Sequence, residues 1–218
     1  MANKEENIMK RLCAKAALDF VPEHGTIGLG GGETISYLCE YIKEAGRDIE
    51  VVTPSENTRR ICEQTGLTVI ETKDAKEVIV AFDGCDQVDE KLNAYKSGGG
   101  IHTKEKIIAK MSKEYILLVD ETKVVKQLNC EVPIVLEIVP EAIGYVSTQA
   151  EKLGAQVKKR DEHLLELYFQ EIKDFKTLDE QLKQITGVVE TSLFYQVADK
   201  AIVAGKDGIK IMSKKGEE

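Results

Sequence analysis

The segment Asp83-Gly84-Cys85-Asp86-Gln87-Val88-Asp89-Glu90 places aspartates three residues apart directly after an apolar run, Val78–Phe82. Open α/β sheets bind ligands at the loops that follow their strands, so carboxylates there are candidates for acid and base work. A calcium loop would need carboxylates at alternating positions with Gly at the sixth, and this spacing does not supply them. A solvated acidic loop is the plain alternative for this stretch taken alone. A second segment follows, Lys96-Ser97-Gly98-Gly99-Gly100, and then Thr103-Lys104-Glu105-Lys106 at the start of a helical pattern. Three consecutive glycines penalise regular structure and suit a backbone that something must approach closely. Their N–H groups, with a helix start, are the kind of donors that hold a developing oxyanion. Glu105, in the first turn of that helix, stands close to the same place, and its lesser role would be to complement the helix dipole.

A third segment, Gly28-Leu29-Gly30-Gly31-Gly32-Glu33-Thr34, is a glycine-rich turn between a strand and a helix. Such turns present backbone N–H groups to anions. It is not a dinucleotide fingerprint, because Glu33 occupies the last glycine position, and no Gly-Lys-Ser/Thr follows to make a P-loop. Taken alone, a tight structural turn and an anion site stay equally open. His102 lies between the glycines and the helix. A lone loop histidine is most often a hydrogen-bonding surface residue, and it is left out of the chemistry. His24 and His163 have no companions, and no His/Cys/Asp cluster has metal-ligand spacing. The five cysteines, Cys13, Cys39, Cys62, Cys85 and Cys130, are odd in number and contain no CxxC pair, which suits reduced thiols packed as small apolar residues.

These segments must be positioned by βα units. Val- and Ile-rich runs predict strands at Thr26–Leu29, Glu50–Thr53, Thr68–Glu71, Val78–Phe82 and Tyr115–Val119. Between the first two, Ile35, Leu38, Cys39 and Ile42 repeat at helical spacing and Gly46 supplies a stop. A second helix starts at Ser55 as N-cap and ends near Gly66, and a third begins near Thr103. After Lys126 the pattern changes to a strand over Val132–Val139, a helix, strands near Ala155–Lys159 and Leu164–Phe169, a helix over Leu178–Ile185 and a strand over Val188–Tyr195. That order predicts a small α+β domain. The last strands, Ala201–Ala204 and Ile209–Met212, return to the first sheet. The expected division is an α/β catalytic domain over residues 1–130 plus 197–218 and a small α+β domain over 131–196.

With 218 residues, 42% hydrophobic and 31% charged, the chain can bury a sizeable core and is not of disordered composition. Its net charge of −8 comes with no basic stripe, which argues against nucleic acid or an anionic membrane as partner. No apolar run approaches a membrane span, and Met1 to Lys15 is too charged for a signal peptide, so a cytoplasmic protein is expected.

The run from Asp83 to Ile108, D-G-C-D-Q-V-D-E-K-L-N-A-Y-K-S-G-G-G-I-H-T-K-E-K-I-I, resembles the D-G-A-D-E…K-G-G-G…R-E-K signature of the ribose-5-phosphate isomerase A family. The similarity extends to the early glycine loop, to Val119–Lys123, to Val132-Pro133 with Glu137–Pro140, to Thr186–Glu190 with Leu193-Phe194, and to Lys200–Val203. It is weakest between Glu151 and Lys176, where this chain looks shortened. The resemblance implies a three-layer Rossmann-like α/β domain with a smaller ferredoxin-like α+β domain, assembled as a homodimer or homotetramer. It implies a sugar-phosphate substrate in the non-oxidative pentose phosphate pathway, with ribose 5-phosphate and ribulose 5-phosphate interconverted through an enediolate without metal or cofactor. Carried over position by position, Glu105 is the base between C1 and C2. Asp83, Asp86 and Lys96 handle hydroxyl protons and the oxyanion beside Gly98, Gly99 and Gly100. The loop residues Gly31, Gly32, Glu33 and Thr34, with Lys123 and Lys10, fall at the phosphate end.

The chain departs from the family in that loop, where G-T-G-S-T is usual and Gly30-Gly31-Gly32-Glu33-Thr34 stands here. Two hydroxyls are gone, and a carboxylate beside a phosphate repels it unless it turns away or pairs with a lysine. Gln87 and Ser97 replace a usual acid and glycine. These changes keep two alternatives open: an isomerase of another pentose or tetrose, and a sugar-phosphate sensor without catalysis on the same scaffold.

Overall fold

The computed structural model describes residues 2–214; residue 1 and residues 215–218 of the expected catalytic unit lie outside the described residues. The first half of the chain runs α1 (Ala2–Ala17), β1 (His24–Leu29), α2 (Glu33–Glu44), β2 (Asp48–Val52), α3 (Glu56–Thr65), β3 (Thr68–Val69), β4 (Val78–Asp83), β5 (Gln87–Asp89), β6 (Ala94–Tyr95), α4 (His102–Met111), β7 (Ser112–Asp120) and β8 (Val124–Val125). The second half runs β9 (Ile134–Ile138), α5 (Ile143–Lys152), β10 (Gln156–Lys159), β11 (Leu164–Tyr168), α6 (Phe175–Lys183), β12 (Val188–Thr191), β13 (Leu193–Phe194), β14 (Lys200–Gly205) and β15 (Gly208–Ser213).

A seven-stranded sheet in the order β15-β14-β7-β4-β1-β2-β3 forms the middle layer, parallel throughout except for the β14–β15 hairpin. Alternate residues of its strands serve two cores, as the period of two requires. Ile27, Leu29, Val80, Phe82, Ile116 and Leu118 pack against α1, α2 and α3 on one face. Ala81, Leu117, Val119, Ala201 and Val203 pack on the other against Ile108 and Ala109 of α4. The helices form for the reasons their sequences give. Ile35, Leu38, Cys39 and Ile42 make a buried stripe on α2. The Ser55 side chain accepts from Thr58 N at the start of α3, and Gly66 closes that helix in the left-handed region at φ +75°.

The second sheet, β10-β11-β9-β12, is antiparallel and carries α5 and α6 in the β-α-β-β-α-β order of a ferredoxin-like unit. A third sheet, β13-β6-β5-β8, had no counterpart in the sequence pattern. It takes residues from the acidic segment, so Gln87 to Asp89 is a buried strand and not a solvated loop. It also breaks the strand expected over Val188–Tyr195, which leaves the small sheet at Ser192 and joins β6 through Leu193 and Phe194. Ser192 explains the break. Its Oγ accepts from Val135 N at 2.8 Å, and its carbonyl accepts from Lys96 N at 2.9 Å, so one buried residue serves both sheets. Helix α1 was likewise unforeseen: its buried face is built from Cys13, Ala14 and Ala17, too small and too few to mark an amphipathic stripe in a charged sequence.

Candidate active site

The strand order places β4 between β1 and β7, and the chain on either side of β1 and β4 winds outward in opposite directions. That reversal opens a crevice at the carboxyl ends of β1 and β4. Two of the chemistry-bearing segments begin there, Gly30–Gly32 after β1 and Asp83–Asp86 after β4; the third, Lys96–Gly100, enters from the third sheet. Together they line a cleft of about 440 Å³ that includes Gly31, Gly32, Asp83, Asp86, Lys96 and Glu105.

Lys96 is the centre of this cleft. Its ammonium lies 2.9 Å from Asp83 Oδ1 and 3.2 Å from Glu105 Oε1, and it donates to the Gly84 carbonyl at 2.6 Å. Among the described residues the Gly84 carbonyl is its hydrogen-bond acceptor, and the two carboxylates flank it as ion-pair partners. Burial opposes the charge on Lys96, but the two carboxylates more than offset it and hold its pKa above the ordinary value. Glu105 is shifted the other way. Burial, reinforced by the charge of Asp83 and opposed by Lys96, pushes its pKa up to about 8. Asp83 is tied down by its surroundings: its Oδ1 accepts from Gly84 N at 2.8 Å and Gly31 N at 3.3 Å, and Tyr115 Oη stands 3.4 Å from Oδ2. A Cβ at Gly30 would overlap that carboxylate, which is the reason the first loop needs glycine at this position.

Asp86 takes two backbone donors on one oxygen, Ser97 N at 2.6 Å and Gly98 N at 2.9 Å. Its other oxygen accepts no hydrogen bond among the described residues. The glycine run is further fixed by Ser97, whose buried hydroxyl donates to the Pro133 carbonyl at 2.6 Å and meets Ser192 Oγ at 2.8 Å. Serine in place of a glycine here is thus a tie to the small sheet. Gln87 has a similar explanation: its amide exchanges two hydrogen bonds of 2.9 Å with Asn129, which an acid could not do.

The expected phosphate residues divide. Gly31, Gly32 and Lys123 line the cleft, joined by Ser55, which sequence reasoning used only as a helix cap. Lys10, Thr34 and Lys123 line a separate small cavity of about 30 Å³ beside it, the share of one water molecule. Glu33 faces away from the cleft. Its carboxylate pairs with Lys10 Nζ at 2.8 Å and accepts from Tyr37 Oη at 3.0 Å, and Lys10 also reaches Glu6 at 2.7 Å. These partners lower the pKa of Glu33 and raise that of Lys10.

His102 is corrected outright. It is fully buried, with Nε2 at 3.2 Å from the Glu190 carbonyl, and burial pushes its pKa down to about 4. It anchors the start of α4 as a neutral ring and is not a surface residue. Lys106 is also buried, and donates to the carbonyls of Thr191 and Leu193 while pairing with Glu190 at 2.9 Å. These two residues hold α4, and with it Glu105, against the β12–β13 junction. Sequence reasoning missed Tyr115 and Arg160. Tyr115 sits in a strand where an aromatic is expected for packing alone. Arg160 lies in the stretch where the family likeness is weakest.

A doubly wound α/β layer joined to a ferredoxin-like unit, with a lysine buried between two carboxylates beside a glycine oxyanion loop, defines an enzyme that moves protons next to a carbonyl. Residues 50–208 match the model of the ribose 5-phosphate isomerase A (phosphoriboisomerase A) family. The chain is 37% identical to the ribose-5-phosphate isomerase A of Streptococcus pneumoniae (strain Hungary19A-6), over 98% of this chain and 100% of the relative. It is 30% identical to that of Neisseria meningitidis serogroup C, over 94% and 95%. The crystal structure of ribose 5-phosphate isomerase A from Neisseria gonorrhoeae superposes with a TM-score of 0.90 at 29% identity, covering 96% of this chain and 97% of the other. A D-ribose-5-phosphate isomerase solved in complex with phospho-erythronic acid gives 0.88 at 28% identity, covering 94% and 97%. The chain belongs to the ribose 5-phosphate isomerase A family.

Proposed function

We propose that this protein interconverts D-ribose 5-phosphate and D-ribulose 5-phosphate, with Glu105 carrying the proton between C2 and C1. The observation that carries the reading is the single ammonium of Lys96 shared by Asp83 and Glu105 in a buried cleft. In the open-chain aldose, the ionised Glu105 carboxylate takes the C2 proton. The electron pair moves into the C1–C2 bond and charge develops on the carbonyl oxygen. Lys96 and the N–H groups of the Gly98–Gly100 run supply positive charge for that oxygen. Glu105 then returns the proton to C1. Asp86, whose second oxygen is not used by the backbone, serves the hydroxyl proton that must move from O2 to O1. A base near neutrality is what proton transfer at a carbon acid requires, and burial supplies it here.

Gly31, Gly32, Ser55 and Lys123 hold the phosphate end in this reading. The Ser55 hydroxyl accepts from Thr58 N and keeps its own proton to donate, which supplies one hydroxyl where the loop has lost two. The feature that favoured another substrate, Glu33, is outside the cleft lining and is paired with Lys10, which it shares with Glu6, so its argument against a phosphate is weakened. A sensor would have no use for a glutamate with a pKa near 8. The described residues contain no helix long and apolar enough to cross a membrane. The cytoplasm and a homodimer or homotetramer are the setting proposed, and a sedimentation mass equal to that of the monomer would remove the assembly.

The test is solvent deuterium incorporation. Ribose 5-phosphate turned over in D2O acquires deuterium at C2 on reversal and at C1 in ribulose 5-phosphate, and Glu105→Gln loses both exchange and turnover. Exchange that persists in the folded Gln variant would refute Glu105 as the base. No exchange with the unmodified protein would refute the reaction.

A further inference from the structure

Arg160 follows β10 and reaches from the small sheet to the glycine run of the cleft. Its Nη1 donates to the Ser97 carbonyl at 2.8 Å and to the Gly98 carbonyl at 3.3 Å. Its Nε donates to Glu166 Oε1 at 2.8 Å, and Glu166 also accepts from Tyr168 Oη at 2.6 Å, so the guanidinium is held from behind. The hairpin around it touches the loop directly: a Cβ on Gly100 would lie 2.6 Å from Leu164 Cδ1 and 3.6 Å from Arg160 Nη1.

The peptide bonds here are trans, so the C=O and N–H of each peptide point in opposite directions. In the Ser97–Gly98 peptide, the carbonyl faces Arg160 and the N–H faces Asp86, a wall of the cleft. In the Gly98–Gly99 peptide, the carbonyl again faces Arg160, so the Gly99 N–H points to the cleft side. No acceptor for that N–H is present among the described residues. A peptide between two glycines has little steric preference of its own and turns over easily. Among the described residues the Arg160 contact is the one hydrogen bond made by this peptide, and it opposes that rotation.

We propose that Arg160 is a positioning residue for the isomerisation: by holding the carbonyls of Ser97 and Gly98, it aims the Gly99 N–H at the oxygen that becomes negative in the enediolate. The inference rests on the isomerase reading above. It places on the small α+β unit a group that completes the oxyanion loop of the large one.

The test compares Arg160→Met, which keeps length and loses the donors, with the unmodified protein. Losing one oxyanion donor costs about 10²- to 10³-fold in turnover, and losing only its orientation should cost somewhat less, roughly 10- to 100-fold in kcat. KM for ribose 5-phosphate and inhibition by inorganic phosphate should stay within about threefold, because neither reads the oxyanion. Binding of 4-phospho-D-erythronic hydroxamate, a planar stand-in for the enediolate, should weaken by the same factor as kcat. An unchanged kcat in the folded variant would overturn the proposal, as would a loss carried by KM and phosphate together. The second measurement needs no variant: in the 15N-glycine-labelled protein, the Gly99 amide proton should move downfield when the hydroxamate binds. An unmoved Gly99 amide also overturns the proposal. If the unmodified protein does not turn over ribose 5-phosphate, the isomerase reading fails first and is told apart from a failure of Arg160.

Discussion

Replacing Glu105 with Gln should inactivate the enzyme and make it more stable, and the gain should depend on pH in a way the structure dictates. The folded-state pKa of Glu105 is about 8 against 4.5 for the free side chain, so ionising this buried carboxyl opposes folding. Below about pH 4.5 the group is protonated in both states and no penalty applies. As pH rises from 4.5 to 8, the unfolded chain releases the proton and the folded protein keeps it, so stability falls across that window and levels off above it. A difference of 8 − 4.5 corresponds to roughly 5 kcal/mol as an upper limit. Glutamine escapes the penalty, and the attraction of Lys96 for the ionised carboxylate is already contained in the raised pKa. The expected gain is a few kcal/mol at pH 9, with roughly 5 kcal/mol as its ceiling, and under about 1 kcal/mol at pH 5. At about 2–4 °C per kcal/mol for a chain of this size, the melting temperature should rise by several degrees at pH 9, and by no more than roughly 20 °C. Thermal and urea unfolding of both proteins from pH 5 to 9 measures this directly, with kcat falling at least about 10²-fold in the same samples. A gap that does not change with pH, or a parent protein more stable than Glu105→Gln at pH 9, would refute the account of this site.

The same ionisation should appear in the rate: kcat/KM for ribose 5-phosphate should climb with pH to a limb near 8, and a limb between 4 and 5 would mean that the base is another group. Glu33→Ser should change KM for ribose 5-phosphate by less than about threefold with kcat intact, because the carboxylate already faces Lys10; a tenfold gain in affinity would show that Glu33 repels the phosphate. Lys123→Met should raise KM by about tenfold with little effect on kcat, the mark of uniform binding lost, and an equal loss in kcat would move Lys123 into the chemistry.

Elements whose signals are local were legible in the sequence. Ser55 and Gly66 bracket α3 because a cap hydroxyl and a left-handed glycine are requirements of one helix alone. That Asp83, Asp86, Lys96 and Glu105 would meet in one cleft was legible because they lie within one short run of chain. What escaped depended on partners distant in sequence. Ser192 interrupts an apparent strand because Lys96 and Val135 both need it, and nothing near Ser192 signals that. His102 looked like a loop residue because its burial comes from Glu190 and the junction behind α4. Arg160 looked like one more charge on a polar hairpin until its two carbonyl partners, more than 60 positions away, were in place. The outcome for Glu33 was half visible, since pairing with a lysine was one of the two conditions under which a carboxylate is tolerated there. Which lysine could answer depended on where α1 lies.

The resting site also indicates how substrate enters the proton-transfer sequence. Lys96 is ringed by the Gly84 carbonyl and the carboxylates of Asp83 and Glu105, so a substrate oxygen that approaches the ammonium competes with them. The Gly84 carbonyl is held at 2.6 Å and belongs to a fixed peptide, and Asp83 at 2.9 Å is further restrained by Gly31 N and Gly84 N. Glu105 is the most distant of the three at 3.2 Å, and among the described residues Lys96 is the only partner of its carboxylate. The exchange therefore falls on Glu105. Two consequences follow from that one displacement. In the isomerisation proposed above, the ammonium would pass from Glu105 to the oxygen that will carry the negative charge, and Glu105 would lose the cation that weakens its basicity. On that proposal, binding of substrate and activation of Glu105 would be one event, which a protein that only retained a sugar phosphate would not need.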